Sequence, residues 1–189
     1  MSRIRDIRNE ELTTAAIRAV HRHGYAQVTM TEIALEANAS AASINYYFGT
    51  KEKLMEATMR RLLSVLRQSC LDRLSTAKEP RARLAALVEA NFDDRLFTPE
   101  QCSLWVQFWS NAPYSKSLAR LHRINRARVH SHLRAEVRHL VPPTESGTVT
   151  AMIQAYMDGV WLEAAQSDYC DAKTARQDAG RVLDRLLRL

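Results

Sequence analysis

The chain has 189 residues, 46% of them hydrophobic and 25% charged, with only five glycines and five prolines, so it can build the core of one large domain or two small ones without staples. Its three cysteines (Cys70, Cys102, Cys170) are far apart, odd in number and free of CxxC spacing, which argues against a disulfide framework or thiolate metal site and points to a reducing compartment. A formal charge of +6 and a pI near 9.5 favour a polyanionic partner without identifying it, while the absence of a long apolar run predicts a soluble, cytoplasmic protein with no membrane partner.

The periodicity predicts an all-α protein of about nine helices. Arg5 to Arg22 places Leu12, Ala16, Ala19 and Val20 on one face, and Gly24 is a natural stop. Thr29 and Glu32 form a T-x-x-E capping box, flanked by Val28 and Ile33 as a hydrophobic staple, so a short second helix is expected over Met30 to Ala37. Asn38 ends it, because asparagine tolerates a left-handed turn. Ser40 then caps a third helix from Ala41 to Tyr47, with Ile44 and Phe48 turned to the core and Ala42, Ser43, Asn45 and Tyr46 turned outward.

Two short helices joined by a tight turn have the spacing of a DNA-binding helix-turn-helix. An ordinary helical hairpin explains the turn but not the composition. A solvated face normally carries lysine and glutamate, whereas this one carries small residues, an amide and aromatic hydroxyls.

A helix of about 25 residues is expected from Lys51, with Leu54, Met55, Met59, Leu62, Leu63, Leu66, Cys70 and Leu74 as its apolar positions. Further helices are predicted at Arg81 to Asp94, Pro99 to Asn111, Tyr114 to Leu140, Glu145 to Gln166 and Asp171 to Leu187. The expected division is a helix-turn-helix domain over 1–50 and a ligand-binding and dimerisation domain over 51–189. Charge is uneven: 115–139 holds seven Lys/Arg against the single acid Glu136, a stretch read as the solvated face of a long helix. The predicted helix at 145–166 carries Val149, Ile153, Tyr156 and Val160 on one face and Met157, Trp161 and Ala164 on another. With the apolar last helix, that pattern predicts a two-fold homodimer closed by a four-helix interface.

The module TMTEIALEANASAASINYYFGTKEKLMEATM resembles the amino-terminal domain of TetR-family transcriptional regulators. The stretches FGTKEKLMEATM, ANFDD, LWVQFW and MDGVWLEAA are similar to those of BetI-type repressors of the choline-to-glycine-betaine pathway. The family usually has glycine in the turn where this chain has Asn38. The resemblance implies a repressor that binds a pseudo-palindromic DNA operator and answers to a small-molecule effector, choline, with no cofactor. Its DNA-facing positions correspond to Thr29, Thr31, Ala42, Ser43, Asn45, Tyr46, Tyr47 and Lys51. Asn45 is suited to an adenine edge and Ala42 to a thymine methyl. Thr29, Tyr47 and Lys51 are suited to phosphates. Arg3, Arg5 and Arg8 form either a minor-groove arm or a frayed terminus.

All three tryptophans lie in the carboxyl-terminal half. Trp105 and Trp109 share a helix face, as do Asp158 and Trp161, and with Phe92 and Tyr156 they are the candidate effector residues. Aromatics around one carboxylate make a cage for a quaternary ammonium through cation–π attraction. The same aromatics can also be ordinary core or dimer packing.

Catalysis is not expected. Glu136 and His139 give one E-x-x-H without the second copy a di-iron bundle requires, and the pairs His130/His132 and His21/His23 diverge on a helix. GxSxG, P-loop and GxGxxG motifs are absent. The remaining alternatives are a regulator of the same family with a different effector, and a small-molecule sensor acting through protein partners by its basic stretch.

Overall fold

The computed structural model describes residues 2–167 and 170–187, with side chains from residue 5 onward. The described residues form nine α-helices and one 3-10 turn, with no strand. They are α1 (Ser2–His23), α2 (Met30–Glu36), α3 (Ala41–Phe48), α4 (Lys51–Leu74), α5 (Pro80–Ala90), α6 (Pro99–Asn111), α7 (Lys116–Val137), α8 (Pro143–Gln166) and α9 (Ala172–Leu186), the 3-10 turn being Ala112–Tyr114. Among the described residues no helix is long and apolar enough to cross a membrane.

The first three helices follow their local signals closely. Leu12, Ala16, Ala19 and Val20 are buried, and Gly24 stops α1 at φ 78, a conformation a side chain would strain. In the capping box the Thr29 hydroxyl accepts from the Glu32 backbone N–H at 3.2 Å while the Thr29 N–H donates to the Glu32 carboxylate at 2.6 Å. Asn38 sits at φ 48, and the N–H groups of Asn38 and Ala39 reach back to the carbonyls of Leu35 and Ala34 at 3.1 and 2.9 Å. That is a Schellman closure made with asparagine in place of glycine. The segment expected as an arm is helical from Ser2: Arg5 is exposed, Arg8 pairs with Glu11 at 2.7 Å, and the Arg3 side chain lies outside the described residues.

Helix α4 joins the two halves. Its Leu54, Met55 and Met59 are buried against the helix-turn-helix, and Arg61 is pinned to α1 through the Glu10 carbonyl at 2.8 Å and the Glu10 carboxylate at 2.7 Å. Farther along, Leu62 and Leu66 are buried while Leu63, Cys70 and Leu74 are half-buried, as α4 passes between α5 and α7. Helix α6 packs on both α8 and α1, so it touches the core of one half and the surface of the other.

Three expectations are corrected. The helix predicted over 81–94 ends at Ala90, because the Asn91 amide turns back to the Leu87 carbonyl at 2.9 Å and Asp93 organises a turn beyond it. The N–H groups of Leu96 and Phe97 both donate to the Asp93 carbonyl at 2.8 Å. On α8, moreover, Val149, Ile153, Met157, Trp161 and Ala164 form one continuous buried stripe inside the protomer. Tyr156 and Val160 lie along the edge of that stripe and are only half-buried, lining with Ala164 a groove that faces α9. The long seventh helix is also shorter than predicted: the Pro113 3-10 turn precedes it and Ser115 caps it.

The Asp93 carboxylate accepts from Ser69 at 2.7 Å and from the Arg95 guanidinium at 2.8 and 3.1 Å, and Arg95 holds its carboxyl well below the usual carboxylate range. A depressed folded pKa stabilises the fold above the unfolded value, about 3.9, and that contribution disappears as pH falls through the acid range. Asp93→Asn is expected to cost about 2 kcal/mol at pH 7, lowering Tm by about 4–8 °C, with the gap closing below about pH 3. Thermal melts of both proteins at several pH values test this; a gap independent of pH would refute it.

Candidate functional site

The face expected to meet DNA lies on α3. Its N-cap Ser40 accepts from the Ser43 N–H at 3.1 Å, and Ile44, fully buried, anchors the helix by its inner face. Ala42 and Asn45 are exposed, and Tyr46 is 84% exposed, stacked edge-on to the half-buried Tyr47 at 5.4 Å between ring centres. Ser43, expected to face fully outward, is only half-exposed. An 84% exposed tyrosine thus stands beside an exposed amide on a helix whose other face is sunk in the core.

The expected phosphate contacts are more occupied than their sequence positions indicated. Thr29 is exposed, but its hydroxyl donates to Glu32 at 3.0 Å, and these hydrogen bonds hold the Glu32 carboxyl below its ordinary range. Thr31 is exposed beside it. The Lys51 ammonium donates to the Ala26 carbonyl at 3.1 Å and lies 5.7 Å from the centre of the Tyr25 ring. Partial burial lowers its pKa, and the ammonium retains two further donors for an anion.

In the carboxyl-terminal half, four of the six candidate effector residues converge. Trp105 and Trp109 of α6 and Trp161 and Asp158 of α8 line a cavity of about 40 Å³, closed by Arg126 and Val129 of α7 and Leu66 of α4. Trp105 is 6.2 Å from Trp109 and 5.7 Å from Trp161, ring centre to ring centre. Among the described residues the buried Trp105 indole N–H has no acceptor, and the ring that carries it lines the cavity.

Phe92 and Tyr156 do not belong there. Phe92 is fully buried, packed edge-on against Phe97, and therefore serves the core. Tyr156 sits two residues before Asp158, on the opposite side of α8, and lines the groove toward α9.

Sequence reading missed Arg126. Its guanidinium donates to the Asp158 carboxylate at 2.6 Å, so the cage's only lining carboxylate already holds a protein cation. The other arginines of α7 are exposed, in keeping with a solvated face, and nothing in the local pattern separates Arg126 from them. Close by, His122 stands edge-on to Phe108 at 5.9 Å, and burial followed by the Arg126 charge lowers its pKa.

Gln107 was missed as well. It stands between Trp105 and Trp109 in sequence but on the opposite face of α6, where its side-chain oxygen accepts the Tyr25 N–H at 2.5 Å. One helix therefore presents two tryptophans to the cavity and grips the turn that positions Lys51. Glu136, the acid of the lone E-x-x-H, accepts from Arg83 at 2.9 Å, a structural bond between α7 and α5. Among the described residues there is no group of three side chains able to hold a metal.

Comparison with known proteins agrees with this layout. The model of the tetR family of bacterial regulatory proteins matches residues 12–58, and that of the BetI-type transcriptional repressor carboxyl-terminal domain matches residues 80–188. The HTH-type transcriptional regulators BetI of Burkholderia mallei and Burkholderia lata are 36% and 35% identical over 186 residues; the former match covers 97% of this chain and 95% of the relative. Among solved structures, a TetR transcription regulator from Haloarcula marismortui superposes with a TM-score of 0.78 at 29% identity, over 95% of this chain and 98% of its own. A Saccharomonospora viridis regulator crystallised with choline shares the fold with a TM-score of 0.79 at 22% identity, over 97% of each chain. The chain therefore belongs to the TetR family of transcriptional regulators, with a DNA-binding helix-turn-helix at its amino end and a BetI-type repressor domain behind it.

Proposed function

We propose that this regulator is a homodimeric repressor whose effector is choline or a closely related quaternary ammonium, in control of glycine betaine synthesis. The observation that carries the reading is the cage: three indoles and one carboxylate around a single cavity, with a buried indole N–H lacking an acceptor. A quaternary ammonium takes the indole faces and the Asp158 charge, and the choline hydroxyl accepts from Trp105. The BetI relatives and the choline held by the Saccharomonospora viridis neighbour support the same assignment.

A cavity of about 40 Å³ is smaller than choline. Binding therefore selects a wider state in which Arg126 has released Asp158. Only an effector that prefers one state can shift the equilibrium, and with choline acting to release the operator the closed geometry is the DNA-competent member of the pair.

In this reading residues 1–50 bind DNA and residues 51–189 hold effector and partner. The outer faces of α8 and α9 supply the dimer contact: Met152 and Leu162 are exposed, and Tyr156, Val160, Val182 and Leu186 are half-buried. Two α3 helices then enter successive major grooves about 34–36 Å apart, or a multiple of it, on a pseudo-palindrome. Asn45 and Ala42 read base edges while Thr29, Thr31, Tyr47 and Lys51 fix register against the backbone. Asn45→Ala is expected to remove about 1 kcal/mol of discrimination at one base pair and leave the rest of the operator preference intact. Binding to an operator library measures this, and an unchanged base profile would refute the assignment.

Calorimetric titration of the purified protein with choline, alone and on operator, tests the function itself. Saturable heat, weaker on operator, is the expected result. No heat with choline would reassign the protein to the same family with another effector.

A further inference from the structure

A second cavity, of about 350 Å³, lies between α4, α5 and α7. That is already within the range of about 300–1,000 Å³ of small-molecule sites, unlike the collapsed aromatic cage beside it. Its wall is aliphatic: Leu63, Leu66 and Leu74 of α4, Leu87 of α5 and Leu133 of α7. Arg67, Arg128 and His132 stand among its polar lining residues, and among the described residues no acidic side chain contributes to it. Among the described residues neither Arg67 nor Arg128 has a carboxylate partner, whereas Arg60, Arg61 and Arg73 on the same helix are all paired. Both unpaired arginines also line an adjoining cavity between α4 and α7, so their charges converge on one groove mouth.

The chemistry is the reverse of the cage. There a carboxylate waits among indoles; here two exposed guanidiniums stand over a leucine-lined space, and burial pushes the Cys70 thiol on its wall up to about 11, keeping it neutral. We infer that this cavity is a second binding site, for an aliphatic chain ending in a carboxylate, with the chain along the leucines and the carboxylate on Arg67 and Arg128. The leucines exclude a small inorganic anion as the preferred occupant, because it leaves the apolar wall uncovered. The arginines exclude a cationic amphiphile, which they repel. Guanidinium–carboxylate pairing is charge-assisted and can be bidentate, which favours an acid over a neutral alkane.

Isothermal titration of the full chain with decanoate, below its aggregation threshold, tests this. The expected result is saturable binding that the Arg67→Ala/Arg128→Ala double variant weakens about 10-fold or more while choline binding is unchanged. Leu71→Trp, at the exposed mouth, is expected to weaken decanoate with both arginines intact, since the larger side chain occupies the entrance. Decyltrimethylammonium binding as tightly as decanoate, or decanoate binding undiminished in the double variant, would overturn the assignment, as would absence of decanoate binding. Because the arginine variants leave the cage untouched, failure here is distinguishable from failure of the choline reading: each ligand is titrated against its own cavity.

Discussion

Asp158→Asn is expected to weaken choline binding about 10-fold, and Arg126→Ala to strengthen it by up to about 5-fold. The opposite signs come from one contact. The guanidinium and the carboxylate meet at 2.6 Å with side chains 44% and 36% exposed, so the pair is solvent-screened and worth at most about 1 kcal/mol. On the proposed mechanism a quaternary ammonium entering the cage displaces that guanidinium, and its affinity is reduced by whatever the pair contributes. Removing Arg126 removes the competitor and leaves the carboxylate; removing the Asp158 charge removes the attraction itself. Trp109→Ala, in a half-buried ring, should act in the same direction as Asp158→Asn with little loss of stability. Calorimetry on the variants decides the matter. If Arg126→Ala binds choline more weakly than the parent, the guanidinium is part of the site rather than its rival.

Gln107→Leu is expected to separate effector binding from DNA release. Choline and operator affinities measured singly should stay within about 3-fold of the parent, while the factor by which choline weakens operator binding falls about 10-fold. The reason lies in the geometry of α6. Trp105 and Trp109 face the cavity, and Gln107 on the reverse face accepts the Tyr25 N–H at 2.5 Å; Tyr25 in turn lies under the Lys51 ammonium at the start of α4. On the proposed mechanism, this hydrogen bond links a shift of α6 to the turn before α2. Leucine fills the space without accepting that bond. Gln107→Glu keeps an acceptor in place and should restore most of the coupling, which a purely packing role for the side chain would not predict. Operator titrations with and without choline, on all three proteins, measure the factor directly. Coupling unchanged in Gln107→Leu would place the transmission elsewhere.

What was legible in the sequence was local. The Thr29–Glu32 box, the Ser40 cap and the left-handed Asn38 depend on hydrogen bonds spanning three to five residues, and each is visible in the order of side chains. The outward placement of Asn45 and Tyr46 follows from Ile44 being the apolar anchor of a helix only eight residues long. The amphipathic stretches of α4 and α9 were likewise readable, since periodic burial is a property of each helix alone.

The errors occurred where a side chain had more than one surface to choose from. The apolar residues of α8 indicated burial, but not that Val149, Ile153, Met157 and Trp161 are covered within the protomer while Tyr156 and Val160 line an open groove beside α9. An aromatic at position 92 looked equivalent to one at 105, and only the turn held by Asp93 sends Phe92 into the core. Extending the fifth helix through Asp94 failed for the same reason: that carboxylate-centred turn recruits Ser69, 24 residues earlier in the chain.

The sequence by itself determined the number and order of the helices, the caps of the first three and the polar outer face of α3, because those rest on contacts between near neighbours whose geometry one helix or one turn dictates. The tertiary structure decided which tryptophans share a cavity, that Arg126 reaches Asp158 from 32 residues away, and that Gln107 reaches Tyr25 from 82 away. Those pairings depend on how α6, α7 and α8 cross and on their relative rotation about their axes, and no local pattern of residues encodes a crossing angle.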